Sequence, residues 1–180
     1  MFIAAKVRLD AGFNDAQAKL ADMAGGGLLG RASGSAYDEW QAALARAGSQ
    51  GIMLGMSRLA RVRVRDAAVQ GDSAIWAMRW EIVSRRGALV PALDAEIKLT
   101  PDGEDATLLA VSGACRPALA ELATGLDPAV MHQVTQATIQ AFASHIATDI
   151  ADPVTAPCKA GHSKMLPEPA PKLGAVTVQP

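Results

Sequence analysis

Hydrophobic and polar positions alternate along residues 2–10, with Ile3, Ala5, Val7 and Leu9 on one side and Phe2, Ala4, Lys6 and Arg8 on the other. A period of two is that of a half-buried strand. The spacing then widens to three and four residues through Phe13, Ala16, Gln17, Leu20 and Met23, which predicts a helix that Gly25, Gly26 and Gly27 bring to an end. Asn14 and Asp15 sit near its start, where negative and polar groups complement the helix dipole. Alternation returns at Ser57–Val69, with Ala60, Val62 and Val64 against Arg61, Arg63 and Arg65. A turn at Gly71, Asp72 and Ser73 leads to a second strand, Ala74, Trp76, Met78, Trp80 and Ile82 facing away from Ile75, Ala77, Arg79, Glu81 and Val83. The two form a hairpin with a charged outer face. Beyond a turn at 85–87, Leu89, Leu93, Ala95, Ile97 and Leu99 face inward while Asp94, Glu96 and Lys98 face out. Pro101, Asp102 and Gly103 turn the chain into Thr107–Cys115, a strand apolar on both faces.

The last patterned stretch is Asp127–Ala151. Asp127 suits an N-cap and Pro128 the first helical position, whose missing N–H had no partner to lose. Met131, Val134, Thr138, Ile139, Phe142, Ile146 and Ile150 then share one side of a long helix. That side must be buried, and a sheet is the surface available to it. The expectation is that this helix roofs a hollow, with Trp76, Trp80 and Leu93 opposite Met131, Phe142 and Ile146.

Two stretches resist this reading. The run GGGLLGRAS follows a helix instead of a strand and lacks the lysine of a phosphate-binding loop, so it reads as a flexible connection. Tyr37–Ala47 favours helix by propensity, with Trp40, Ala43, Leu44 and Ala47 as a short apolar stripe. Gln50–Gly55 reads as a further connection.

Length, 180 residues, fits one domain with a real core. A net charge of -1 offers no global attraction to nucleic acid or to an anionic membrane. No run approaches the roughly 18 apolar residues of a spanning helix, and the start lacks a secretory h-region and cleavage site, so no integral membrane association and a cytoplasmic location are expected. Two cysteines make no disulfide framework. After Asp152 the chain is rich in proline and small residues, which divides it into a domain over 1–151 and a flexible tail over 152–180. Cys158 and His162 in that tail are too few ligands for a metal site. No metal and no cofactor are expected.

The element order, together with MSRLARVRVRD, MRWEIVSRRGALVPALDAEIKLTP, ATLLAVSGACRP and GLDPAVMHQVTQATIQAFASHIA, resembles the START-like superfamily, also called SRPBCC or polyketide-cyclase-like, and within it an uncharacterised bacterial subgroup. The resemblance spans most of residues 2–151. It implies an α+β helix-grip fold: a curved antiparallel sheet wrapped around a long C-terminal helix, two short helices at one end, and an apolar cavity between sheet and helix. It also tilts Tyr37–Ala47 towards strand, against local propensity. Cys115 stands before Arg116-Pro117 where similar sequences often carry an aromatic residue, which would enlarge the cavity if the position faces it.

Trp76, Met78 and Trp80 form an inward row that lines or fills such a cavity; Leu93, Met131, Thr138 and Phe142 complete its walls. His145, beside the helix stripe, is a candidate proton acceptor or ligand contact, or else a half-exposed boundary residue. His132 is expected to face solvent. Arg116 ends a strand and either holds the polar end of a ligand or caps the sheet. No nucleophile elbow, zinc-protease helix or paired Cys/His appears, so catalytic residues are unassigned. The arginines at 61, 63 and 65 read as a solvated face whose charges pair across strands, in preference to an anion site.

The functional expectation is a module that binds a hydrophobic or amphipathic small molecule or lipid. The alternatives are a cyclase- or dehydratase-type enzyme built from cavity residues, and a protein-interaction module with a vestigial cavity. Oligomeric state is not legible.

Overall fold

A computed structural model describes residues 1–46, 59–83, 89–116 and 127–151. The chain runs β1 (Phe2–Leu9), α1 (Phe13–Gly25), α2 (Leu28–Arg46), β2 (Leu59–Val64), β3 (Ala68–Gln70), β4 (Ser73–Val83), β5 (Leu89–Pro101), β6 (Thr107–Cys115) and a closing helix, α3 (Pro128–Ala151). The six strands form one curved antiparallel sheet in the order β1-β6-β5-β4-β2, with β3 also paired to β4. The fold is therefore α+β, as expected.

Alternation places the strands largely as read, except that Ser57–Val69 is not one strand: β2 ends at Val64, residues 65–67 lie between strands, and β3 resumes at Ala68. Ile3, Ala5 and Leu9 of β1, Trp76, Met78 and Trp80 of β4, Leu93, Ile97 and Leu99 of β5, and Leu109 and Val111 of β6 are buried on the concave face. Gly71, at φ 60°, takes a conformation open to glycine and supports the tight turn that pairs Gln70 with Ser73. Two register shifts bend the sheet around Glu81: the β2–β4 ladder skips between Leu59 and Arg61, and the β4–β5 ladder between Trp80 and Glu81. Bulges of this kind increase local twist. Gly113 is where β5 and β6 approach most closely, since a Cβ there would lie 2.7 Å from the Asp94 carbonyl oxygen and 2.8 Å from Ala95 Cβ.

The closing helix begins as the sequence indicates. Asp127 Oδ1 accepts the Ala129 N–H at 2.7 Å, and the Asp127 carbonyl accepts that of Met131 at 3.0 Å. Met131, Thr135, Thr138, Ile139, Phe142, Ile146 and Ile150 are buried; Val134 is half-buried. The helix rests on β1, β6 and α2. At its C-terminus Lys19 of α1 donates to the Ile150 carbonyl at 2.8 Å, supplying the positive charge that the helix's own last turn lacks. Gln136 reaches the edge strand β1, its Oε1 accepting the Ala4 N–H at 3.4 Å and its Nε2 donating to the Ala4 carbonyl.

A further expectation is overturned. Residues 28–46 form a single 19-residue helix, so the segment after Gly27 is not a loose connection and Tyr37–Arg46 is not a strand. Leu29, Ala32, Ser33, Ala36, Tyr37, Trp40 and Leu44 make a continuous helical stripe, all buried. Small residues in its first half let α2 lie close to its neighbours, and Ser33 Oγ comes within 3.8 Å of Met78 Sδ. Tyr37 and Trp40 stack with centroids 5.6 Å apart. Packing of this stripe outweighs the glycines at 30 and 34. Gln50–Gly55, the turn at 85–87, the connection 117–126 and the tail 152–180, with Cys158 and His162, lie outside the described residues.

Candidate functional site

A concave sheet lined by large side chains must either be filled or hold something, and the two ends of this sheet differ. Towards the closing helix it is filled. The Trp80 and Phe142 rings meet edge to face at 5.9 Å, and Trp76, Leu93, Thr138, Ile139 and Ile146 are buried around them. Met131 is buried about two turns nearer the start of α3 than Thr138. Six of the residues expected to wall a chamber (Trp76, Trp80, Leu93, Met131, Thr138 and Phe142) thus lie inside together, with sheet and helix in direct contact at Trp80 and Phe142. Cys115, opposite Leu93 in the ladder, is half-buried against this core, and burial pushes its thiol up to about 11, so it is neutral at physiological pH.

The open space lies at the other end, beside β2. A hollow of about 860 Å³ is lined, among the described residues, by Ala24, Gly27, Leu29 and Gly30 at the α1–α2 corner and by residues of β2, β4 and β5. Its volume falls within the roughly 300–1,000 Å³ of small-molecule sites. Met78, Val62 and Val64 supply apolar surface from the concave side, the two valines being half-buried. Arg63, Arg65, Arg79, Glu81 and Asp94 supply charge from the outer side, so the hollow wraps the edge of the sheet instead of sitting wholly beneath it. No residue of α3 is among those lining it.

The charges are arranged by register. Arg63 stands directly opposite Arg79, a like-charge pair that is unfavourable face to face. Each turns to an acid instead: Arg63 Nε donates to Glu81 Oε2 at 3.0 Å, and Arg79 Nε to Asp94 Oδ1 at 2.6 Å. Arg116, from the end of β6, donates to the other Asp94 oxygen through Nε at 2.6 Å and through Nη2. Partial burial works against the Asp94 carboxylate, but hydrogen bonds and charge from Arg79 and Arg116 outweigh it and hold its pKa below the ordinary aspartate value. Asp94 is therefore ionised and fully engaged. Arg65 lines the hollow with its main-chain N–H tied to the Ala77 carbonyl at 2.9 Å, and no acid within the described residues pairs with its side chain.

Of the residues singled out from sequence, only Met78 lines this hollow, and Arg116 stands one contact behind it through Asp94. His145 does not face it. Its side chain is 45% exposed on the outer side of α3, with Nε2 3.5 Å from Glu39 Oε1 of α2. The helical stripe runs through Phe142 and Ile146, and His145 lies off it, which is why it points away. His132 is exposed. Val62, Val64 and Leu29 were not expected to contact a ligand, and Arg65 was read as part of a solvated face; the strand alternation that orients the two valines was visible, but the helix bringing Leu29 to them was not. No group of three or more His, Cys, Asp or Glu side chains that could hold a metal ion occurs among the described residues, and no helix there is long and apolar enough to cross a membrane.

No protein-family model matches the sequence, and no curated protein matches it. Solved structures do resemble it in outline. A conserved protein from Geobacillus kaustophilus is 16% identical, with 84% of this chain and 95% of that one covered and a TM-score of 0.44. The Zhui aromatase/cyclase from a Streptomyces species is 10% identical over 84% of this chain and 93% of its own, at 0.36. Norcoclaurine synthase from Thalictrum flavum is 10% identical over 84% and 86%, at 0.37. These likenesses of outline say nothing of a ligand or a reaction here. In the order and pairing of its own elements the chain is a curved antiparallel sheet closed by a long C-terminal helix, the helix-grip arrangement.

Proposed function

We propose that the protein binds a hydrophobic or amphipathic small molecule at the β2 edge of the sheet, in the hollow between the α1–α2 corner and strands β2 and β4. The observation that carries this reading is the hollow of about 860 Å³ with the half-buried Val62 and Val64, beside the buried Leu29 and Met78, on one side and charged groups on the other. A concave site with an apolar wall and a few placed polar groups is the usual form of a small-molecule site. The space between Trp80 and Phe142, where a ligand chamber was first expected, is occupied by those two rings.

A cyclase- or dehydratase-type reaction fits less well. It needs a proton-transferring group facing the substrate. Asp94 is pinned between two arginines, Glu81 is bonded to Arg63, and His145 is on another surface. Nothing among the described residues favours an interaction module over a binding site.

The test is methyl-resolved NMR of the full chain titrated with dodecanol, a neutral amphiphile, and with dodecanoate, an anionic one. The reading expects either probe to shift the Met78, Val62 and Val64 methyls, and a Val64→Trp variant, which fills the half-buried wall, to abolish the shift while keeping the native spectrum elsewhere. Saturable shifts confined to other methyls, or no shift with either probe, would sink it.

A further inference from the structure

The charges around the hollow do not cancel. Arg63, Arg65 and Arg79 line it with Glu81 and Asp94, and Arg116 adds a second cation to Asp94 from behind. Each acid is taken: Glu81 by Arg63, Asp94 by Arg79 and Arg116. Arg65 alone among the hollow's arginines has no acidic partner within the described residues, although Asp66 follows it in sequence. Its position is fixed by the main-chain bond from Arg65 N–H to the Ala77 carbonyl. Its neighbour Val64 begins the apolar wall.

From this arrangement we infer that the site selects amphiphiles with an anionic end, a carboxylate in the first instance, which Arg65 engages while the apolar body lies against Val62, Val64, Leu29 and Met78. This rests on the reading of the hollow as a ligand site and adds the charge of the ligand to it. A guanidinium presents a planar fork that matches a carboxylate, and a hydrogen bond to a charged group is stronger than a neutral one. Arg63 and Arg79 are each held to an acid through Nε, which partly neutralises them, so they contribute attraction while Arg65 carries the charge unpaired among the described residues. An uncharged amphiphile would use the apolar wall and leave the excess positive charge uncompensated. A cationic one would be repelled.

The experiment measures dissociation constants for dodecanoate and dodecanol below their aggregation concentrations, by calorimetry, on the wild type, Arg65→Gln and Arg61→Gln. Arg61 carries the same charge on β2, four residues before Arg65, but is not among the residues lining the hollow, so it controls for a general basic face. Dodecanoate is expected to bind the wild type about tenfold or more tighter than dodecanol. Arg65→Gln should remove most of that preference by weakening dodecanoate far more than dodecanol, while Arg61→Gln should keep it. Equal affinity of the two probes for the wild type overturns this inference and leaves the ligand site standing. Loss of preference in Arg61→Gln equal to that in Arg65→Gln overturns the assignment to Arg65. Failure of both probes to bind overturns the inference and the ligand site together.

Discussion

The Trp80 indole and the Phe142 ring meet edge to face, with centroids 5.9 Å apart and planes at 82°, and through this contact the sheet and the closing helix touch at the centre of the molecule. Both are buried, so the contact combines large apolar area with a favourable ring geometry. Phe142→Ala should destabilise the fold by about 3–5 kcal/mol, because the helix is held on either side of Phe142, by Gln136 on β1 and by Lys19 at Ile150, and resists collapse into the void. Phe142→Leu should cost less. Urea unfolding monitored by tryptophan fluorescence reads both, and a change below 1 kcal/mol for the alanine variant would contradict this account.

Gly113 and Gly34 should respond oppositely to alanine. At Gly113 the new methyl would collide with Asp94 main chain and Ala95 Cβ, in a ladder that cannot widen locally, and a loss of about 1–3 kcal/mol is expected. At Gly34, inside α2, nothing lies within 4 Å of the added atom, and relief of glycine's backbone entropy should stabilise by about 0.5–1 kcal/mol. Paired denaturation curves decide it; the same sign at both positions would refute the packing described.

Asp94 sets an acid limb. Its folded pKa is depressed, so its contribution is complete above the unfolded value of about 4 and is lost as pH falls through the folded value. Asp94→Asn should lower stability at neutral pH and flatten the decline below about pH 4 relative to the wild type. Unfolding free energy measured across that range would show parallel curves if the Arg79–Asp94–Arg116 cluster contributed nothing.

Tyr37 sets the alkaline one. Burial raises its phenol to about 12, with Asp38 adding to the shift and a hydrogen bond with Gln41 opposing it. The unfolded chain releases this proton near pH 10, earlier than the folded one, so stability falls as pH rises from about 10 to 12. Tyr37→Phe should flatten that limb. Spectrophotometric titration of the folded protein, in which Tyr37 is the single tyrosine, should show ionisation delayed to about pH 12; a midpoint near 10 would place the ring in solvent.

Strands and closing helix were legible because their periods are clean: two through Trp76, Met78 and Trp80, and three to four through Met131, Phe142, Ile146 and Ile150. The α2 helix was not, and the reason lies in where its pattern starts. Taken from Tyr37, the segment shows only a short stripe; taken from Leu29, it runs through Ala32, Ser33, Ala36, Tyr37, Trp40 and Leu44 without a break. Glycines at 30 and 34 masked that run, since propensity counts against them and packing does not.

The same misreading displaced the candidate site. With residues 28–46 taken as connection and strand, the concave face had the closing helix as its main cover and space to spare beneath it. A 19-residue helix on that face leaves room at the β2 edge instead. The outer charges were read correctly as cross-strand partners, yet the imbalance at Arg65 depends on which acids are claimed, and pairing at that level comes from coordinates.

Gln136 grips both polar groups of one residue, the N–H and the carbonyl of Ala4, as an adjoining strand would. The outermost rung of the sheet is thereby satisfied from within the same molecule, and a neighbouring chain seeking to extend the sheet past β1 would first have to displace that amide. The clasp also meters the helix against the sheet: a slide of the helix by one turn, about 5.4 Å, would carry Gln136 out of reach and unfasten both bonds together.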